Sequence, residues 1–371
     1  MTTSARTCLW LAGLVFLLLS APFGSPLHAQ TLLPQQVFLR RDIDASGRDQ
    51  LLFIDTLTGT QTVVEVTGER YTIAGREVLF FDTSLRRVRL AADNGNVRDH
   101  PFMLLGLLTR RVDWVLSPDG TLIAWTMTEG DSQSNLSTIT TVANLDGTQS
   151  RQVLVDGPRS SLRALPVAFS DDLTRLYMDY QPDGIGDLTP FTQYAGLFVV
   201  EITPQNTVGT PQYLPGEPGC FCGGGIGSGW FLRLSLTADL SRYDLRAYNL
   251  LGGGDQMIPA LALRGYTQAG DFLIAPDGTR AVYALAQVEG FGTAQQSVQT
   301  VLALVDLQAL TQTTLGDPIT TFVHPVAWTE DNSAVIFTTP ERDGTWKINL
   351  SDNVLTKLAD VTYLGTLAAV F

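Results

Sequence analysis

An acidic segment near the N-terminus holds the most regular set of metal-ligating side chains in the sequence. Asp42, Asp44 and Ser46 occupy alternate positions, and Gly47 follows them. Alternating oxygen ligands followed by glycine are typical of the opening of a calcium loop. Asp49 comes one residue early, however, and no bidentate glutamate closes the loop. The pattern predicts a calcium site formed by Asp42, Asp44, Ser46 and Asp49. The alternative is an acidic hairpin tip between two strands.

Few residues are suited to proton transfer or nucleophilic catalysis. Outside the first thirty residues the histidines are His100 and His324, and His324 precedes Pro325 at the start of a predicted strand. We expect both side chains to be packed or solvated. The sequence has no H-E-x-x-H motif, no P-loop and no G-x-S-x-G motif. It therefore predicts no catalytic residue, although carboxylates that converge from several strands could still carry out acid–base chemistry.

A glycine-rich segment, residues 215–230, contains Cys220 and Cys222. It shows no apolar period and is predicted to be a long loop, and long loops in compact domains are often functional or mobile. A disulfide between the two cysteines is one interpretation. Free thiols, an intermolecular link, and metal or redox chemistry are the alternatives. Two thiolates alone do not make a zinc site.

A strand–turn–strand unit recurs along the chain and predicts the fold. In residues 114–125, Pro118 presets the turn dihedral and Asp119 can accept bonds from the backbone, while Gly120 permits a positive φ. The unit returns at residues 167–177, 234–243, 272–283 and 326–337. The turn aspartates are Asp119, Asp172, Asp239, Asp277 and Asp331. Their separations of roughly 40 to 65 residues are typical of blades that cannot bury their faces alone.

Two further strands follow the first unit. They are predicted over residues 137–144 and 151–155, and the turn between them contains Asp146-Gly147. Asp-Gly between two apolar runs is a strong hairpin signal. Four antiparallel strands per repeat form the blade of a β-propeller.

These repeats closely resemble the WD40-like (PD40) repeats of the TolB family, in which an aromatic residue precedes Ser-Pro-Asp-Gly and a strand. The resemblance is strong at residues 114–157 and 272–306 and partial in the other blades. It implies an all-β propeller that acts as a non-enzymatic interaction module outside the cytoplasm. Residues 170–173 and 329–332 lack both the proline and the glycine, so the match there depends on the strands.

The two ends of the chain predict how the ring closes. The first strands form an outer-type hairpin with no inner strand before them, whereas residues 363–371 form an orphan strand after the last repeat. Joining the two closes the ring and removes an open sheet edge. The count is seven blades, with six as the alternative. The predicted blades are residues 31–68 with 361–371, 69–110, 111–160, 161–218, 228–265, 266–318 and 319–360.

The first 29 residues are typical of a secretory signal peptide. Arg6 is their only charged residue, and an apolar run over residues 8–19 is too short for a comfortable membrane span. We expect cleavage and a single domain over residues 30–371, outside the cytoplasm. An uncleaved anchor is the alternative. No later segment is long and apolar enough to span a bilayer.

The charge balance excludes some partners. The net charge of −13 includes +1 from Arg6, so the chain from residue 30 carries −14. An acidic protein without a basic stripe is unsuited to nucleic acid or to anionic membranes. We expect a monomer that binds a protein or small-molecule partner on one propeller face, with no cofactor apart from the predicted calcium. The alternatives are a lyase or hydrolase with its site in the central funnel, and a structural surface protein that bound calcium would favour.

Overall fold

The computed structural model describes residues 35–41, 47–132, 134–183, 190–202, 212–214, 222–239, 241–339 and 344–367. Within these ranges the secondary structure consists of strands, and none of the residues there forms a helix long and apolar enough to cross a membrane. The strands build seven sheets that follow one another around a ring. The fold is a seven-bladed β-propeller, as predicted.

The first three blades use these strands. Blade 1 contains β1 (Gln35–Arg40), β2 (Asp49–Asp55) and β3 (Gln61–Val66), together with the last strand of the ring. Blade 2 contains β4 (Gly68–Ala74), β5 (Glu77–Asp82), β6 (Arg87–Ala92) and β7 (Val97–Asp99). Blade 3 contains β8 (Thr109–Leu116), β9 (Leu122–Glu129), β10 (Leu136–Asn144) and β11 (Arg151–Arg159).

Blade 4 contains β12 (Leu162–Phe169), β13 (Arg175–Pro182), β15 (Phe198–Glu201) and β16 (Gln212–Tyr213). Blade 5 contains β14 (Gln193–Tyr194), β17 (Cys222–Gly227), β18 (Trp230–Leu236), β19 (Tyr243–Asn249) and β20 (Asp255–Ile258). Blade 6 contains β21 (Gln268–Ile274), β22 (Arg280–Glu289), β23 (Ser297–Asp306) and β24 (Thr311–Ile319). Blade 7 contains β25 (His324–Trp328), β26 (Ala334–Thr338), β27 (Thr345–Asn349) and β28 (Leu355–Ala359), and the last strand is β29 (Thr362–Thr366).

The ring closes in blade 1, where β29 pairs antiparallel with β1 and Phe38 lies opposite Tyr363. The Leu367 N–H donates to the Gln35 carbonyl at 2.9 Å. The Leu367 side chain is buried with Val37. The predicted closure by the C-terminal strand is therefore confirmed, since β29 supplies the inner strand that the N-terminal hairpin lacks.

The core lies between blades. Val142 and Val153 of blade 3, for example, pack in one buried cluster with Leu176 and Phe198 of blade 4. A blade has neighbours on both faces, so its middle strands are buried on both sides, as in β9. Apolar residues therefore form short continuous runs there, instead of the alternation of a half-exposed sheet.

The antiparallel order gives the ring two different faces. The turn aspartates join first to second strands on one face, where the Asp119 carboxylate accepts from the Thr121 N–H at 3.0 Å and from the Ser117 hydroxyl at 2.6 Å. Each inner strand starts at the opposite face. We call this opposite face the channel face, and it also carries the turns between second and third strands and the connections between blades.

The inner strand of blade 5 corrects one prediction. Residues 215–230 were expected to form a loop, but Cys222–Gly227 is strand β17, so the strands of the blade in this region begin at Cys222 instead of at residue 228. Consecutive glycines show no alternation in sequence. They allow close packing instead, because a Cβ on Gly225 would lie 2.3 Å from the Phe272 Cβ. The short strand β14, inserted from blade 4, pairs with β17 and gives blade 5 a fifth strand.

Candidate functional site

A cavity of about 430 Å³ lies in the central channel near the channel face. We call it the channel cavity. Five of the inner strands, β4, β8, β12, β21 and β25, supply its charged residues. These residues are Arg70, Arg111, Asp113, Arg163, Asp271 and His324. The volume falls in the range of sites that bind small molecules.

One side of the channel cavity carries three guanidinium groups around a single carboxylate. The Asp113 side chain is 3% exposed, and its two oxygens accept separately from Arg70 and Arg163. The Arg111 Nε lies 3.5 Å from the same carboxylate. Burial alone raises the pKa of Asp113, but the three arginines outweigh it and hold the pKa below its ordinary value. We call Arg70, Arg111 and Arg163 the arginine cluster, and with Asp113 they carry a net charge of +2.

Arg163 is the most buried member of the arginine cluster. Its side chain is 2% exposed, and its Nε makes no hydrogen bond to any residue that the structure describes. The nearest second carboxylate, Asp183, lies 3.9 Å from this Nε and pairs with Arg110 at 3.3 Å. This Nε has almost no accessible surface, so a ligand in the cavity would meet Arg70 and Arg111, whose side chains are 29% and 31% exposed. The excess of positive charge in the cluster is suited to a bound anion.

Two bulges aim charged side chains into the channel cavity. Arg70 has φ +62° where the pairing of β4 shifts register, and Asp271 has φ +54° at the corresponding shift in β21. Positive φ is unfavourable for residues with a Cβ, and such strain is often found at functional sites. Arg70 is also held by the Val112 carbonyl and lies over the Trp114 ring, with its Cζ 5.5 Å from the centroid.

The other side of the channel cavity holds a histidine–carboxylate pair. The His324 Nδ1 lies 2.5 Å from the Asp271 Oδ2, and the other oxygen of Asp271 accepts from the Thr192 N–H at 2.7 Å. Among the described residues the Nε2 of His324 has no hydrogen-bond partner. An imidazole oriented by a carboxylate through Nδ1 is the usual arrangement of a general base. The sequence prediction that His324 is only packed or solvated thus missed its place beside Asp271.

Residues 193–196, which include part of the wall of the channel cavity, are held in position by a buried carboxylate. Asp179 is fully buried and accepts from the Gly196 N–H at 2.8 Å and from the Ala195 N–H. Burial raises the pKa of Asp179, and these two hydrogen bonds offset the shift only in part. Gln193 and Tyr194, which line the channel cavity, therefore belong to a wall that is already positioned.

His100 lies away from the channel cavity. Its ring is buried in the connection between blades 2 and 3, where Nδ1 accepts from the Met103 N–H at 3.2 Å and the ring contacts Phe102 edge to face. Burial, with a smaller contribution from Arg98, lowers the pKa of His100 to about 4. Of the two expectations for His100, packed or solvated, the structure has the packed one.

The lowered pKa of His100 predicts a loss of stability in mild acid. The folded pKa lies below the unfolded value of 6.5, so the unfolded chain takes up the proton first. The free energy of unfolding should fall between pH 6.5 and pH 4, by on the order of 2–3 kcal/mol, and flatten below that. Urea titrations of the wild type and of His100→Asn, which keeps an acceptor for Met103, measure the effect. An equal decline in both would contradict the assignment.

The other predicted site residues are only partly described. Asp42, Asp44 and Ser46 lie outside the described residues, and the Asp49 carboxylate accepts from the Tyr71 hydroxyl at 2.8 Å. The calcium site stays a prediction. Cys222 is disulfide-bonded, but Cys220 is outside the described ranges, so their pairing also stays a prediction. In the part of the chain that the structure describes, no group of three or more His, Cys, Asp or Glu residues is placed to hold a metal.

Sequence reasoning missed the arginine cluster and Asp271. Arg111 and Asp113 are two residues apart in β8, but Arg70, Arg163 and Asp271 come from three other blades, so no local spacing joins the whole set. One signal was present. A charged residue near the start of a strand that is otherwise apolar, as Arg163 is in β12, is expensive to bury and suggests a role.

Comparison with known proteins identifies similar folds, but it assigns the chain to no family. No protein-family model matches the chain, and no curated protein matches it. An oligogalacturonate lyase in complex with manganese is 13% identical, with a TM-score of 0.52 over 88% of this chain and 86% of that chain. A prolyl endopeptidase is 11% identical, with a TM-score of 0.59 over 88% of this chain and 50% of that one. A puromycin hydrolase is 14% identical, with a TM-score of 0.58 over 90% and 54%.

The chain thus spans about half the length of the endopeptidase and of the hydrolase. At these identities the similarity shows the propeller fold alone. The resemblance to the TolB family is supported only as far as the propeller class.

Proposed function

We propose that this protein is an exported propeller that binds a small anionic ligand in the channel cavity. The observation that carries the proposal is the arginine cluster itself, three guanidinium groups around the single carboxylate of Asp113 in the wall of the cavity. Arg111 and Arg70 are partly exposed and would meet the ligand from the solvent side. Guanidinium groups bind carboxylate or phosphate oxygens in pairs, which gives direction as well as charge.

The charge of the whole molecule supports an internal site over a surface one. The chain carries −13 overall, so its outer surface repels anions, whereas the channel cavity is lined by three arginines and two aspartates, Asp113 and Asp271, an excess of one positive charge apart from His324. Low-dielectric walls around a charged cleft focus the field at its mouth. A small anion that enters the channel would be attracted there, while a large polyanion would be repelled by the rest of the protein.

The test is a calorimetric titration of the chain from residue 30 with sulfate, citrate and galacturonate, with galactose as the neutral control. We expect the anions to bind, galactose not to bind, and the affinity to fall as sodium chloride is raised. Binding of galactose with the same affinity as galacturonate, or no binding of any anion, would contradict the proposal.

A second candidate function is that of a lyase or hydrolase, and the His324–Asp271 pair favours it. In a lyase, the His324 Nε2 would take the proton from the carbon next to the bound carboxylate. A double bond would form as the β C–O bond breaks, and the leaving oxygen would take up a proton from water. The arginine cluster would stabilise the intermediate anion. The similar structures are named as a lyase and as hydrolytic enzymes, which is consistent with this candidate although they share only the fold.

One substitution distinguishes the catalytic function from the binding function. His324→Asn should abolish the ultraviolet absorbance of an unsaturated product from oligogalacturonate while leaving anion binding within about threefold, because the arginines remain. Absence of turnover in the wild type on oligogalacturonate and on ester substrates would leave the binding proposal as the only one.

Two parts of the proposal depend on the sequence alone. Export rests on the predicted leader, and fractionation of cells that express the full chain would test it. A calcium ion at Asp42, Asp44, Ser46 and Asp49 should raise the temperature of unfolding on addition of calcium chloride, and Asp44→Asn should remove the shift.

A further inference from the structure

A second cavity, of about 470 Å³, opens on the channel face in blade 6. It lies between the end of β22, the start of β23 and the connection from β24 to β25. We call it the blade 6 cavity. Its polar lining residues are Gln287, Glu289, Gln296, Ser297, Gln299, Thr320 and Thr321.

The blade 6 cavity and the channel cavity are neighbours. Phe322 lines the blade 6 cavity and Phe191 lines the channel cavity, and the two rings meet edge to face with centroids 5.6 Å apart. Phe191 in turn lies 5.7 Å from the His324 ring. The chain segment that joins β24 to β25 lies between the two cavities. It is held in place because the Thr321 carbonyl accepts from the buried Thr300 hydroxyl at 2.7 Å. A ligand that reaches over this aromatic pair would occupy both cavities.

The chemistry of the two cavities differs. The channel cavity has three arginines, whereas the blade 6 cavity is lined by amides and hydroxyls, with no cationic side chain among its described lining residues. Amides and hydroxyls both donate and accept, so they suit a group that is rich in hydroxyls and uncharged. The carboxylate of Glu289, which accepts from the Gln287 Nε2 at 3.0 Å, would repel a second anion. Phe322 adds a flat apolar surface.

We infer that the ligand is an acidic saccharide with its charged unit in the channel cavity and an uncharged sugar unit in the blade 6 cavity. The inference rests on the proposed anion site and adds to it the class of ligand and its direction. It also predicts selectivity: a saccharide with one carboxylate and one neutral ring fits both cavities, whereas one with a carboxylate on each ring places its second charge beside Glu289.

Calorimetry with four saccharides tests the inference. They are galacturonate, digalacturonate, a glucuronate joined to a neutral hexose, and lactose. The glucuronate–hexose disaccharide should bind at least about tenfold more tightly than galacturonate, as expected from one or two added hydrogen bonds. Digalacturonate should bind less tightly than the mixed disaccharide.

Gln299→Ala is the matching variant, because this side chain lines the blade 6 cavity and is exposed. The substitution should remove most of the additional affinity that the mixed disaccharide has over galacturonate, and it should leave the affinity for galacturonate unchanged. Gln256→Ala, an exposed glutamine in β20 away from both cavities, is the control.

The outcomes separate the two proposals. Equal affinities for galacturonate and the mixed disaccharide, unaffected by Gln299→Ala, would overturn the inference while the anion site stands. No binding of any acidic saccharide while sulfate or citrate binds would also overturn the inference alone. No binding of any anion, or binding of lactose as tight as that of the mixed disaccharide, would overturn the proposed function itself.

Discussion

Replacing Asp113 with asparagine is expected to lower the free energy of unfolding by about 3–5 kcal/mol, the usual cost of removing one partner from a buried ion pair. Asp113 is 3% exposed and neutralises Arg163, which is 2% exposed, as well as part of Arg70. Without the carboxylate, Arg163 keeps its charge in a site from which water is largely excluded. The folded state therefore loses the interaction and retains the cost of burying the guanidinium group.

Urea unfolding followed by circular dichroism measures this change, with Asp255→Asn as the control. Asp255 is 45% exposed and lies 3.8 Å from Arg246, so its loss should cost less than about 1 kcal/mol. The variant offers a second readout, because removal of the competing carboxylate should make added citrate stabilise Asp113→Asn more than the wild type. A change below about 1 kcal/mol for Asp113→Asn, with no added effect of citrate, would show that the arginines do not depend on this carboxylate.

The second large effect is expected on binding: Arg111→Leu should weaken the affinity for galacturonate by about 10- to 100-fold. A hydrogen bond between charged groups contributes roughly 1.5–3 kcal/mol in a partly desolvated site, which corresponds to that range. Arg111 is suited to the test because its side chain is 31% exposed, and its Nε is 3.5 Å from Asp113. Asp113 also retains Arg70 and Arg163, so the fold should be little affected.

Two controls define what is lost. Arg111→Lys keeps the charge but not the paired donors, so its affinity for galacturonate should lie between that of the wild type and that of Arg111→Leu. Arg87→Leu removes an exposed arginine that pairs with Asp99 on the surface, and it should leave binding unchanged. Equal affinities for the wild type and Arg111→Leu would place the anion elsewhere.

The propeller could be predicted from sequence because its signals are local. Each turn needs an aspartate to accept backbone bonds, and in the best copy Gly120 has φ +70°, so the pattern around Asp119 repeats. Ring closure followed from counting strands at the two ends. Strand β17 was missed because its glycines are needed for close approach to Phe272, and residues without side chains show no apolar alternation.

The candidate site was less predictable for a physical reason. Arg70, Arg163 and Asp271 are far apart in sequence and meet only because the ring brings the starts of inner strands together. His324 was expected to be packed or solvated, because its significance depends on Asp271, which lies 53 residues earlier and points inward at a bulge. Convergence across blades is a property of closure and leaves no fixed spacing in the chain.

We propose that the channel cavity holds an anion beside the arginine cluster. The most direct test is a crystal structure of the chain from residue 30 grown with selenate, whose selenium is located by anomalous scattering. We expect one strong peak in the channel cavity, within hydrogen-bond distance of Arg111. An intact ring with no peak in the channel cavity, or with selenate only at surface arginines such as Arg87, would contradict it.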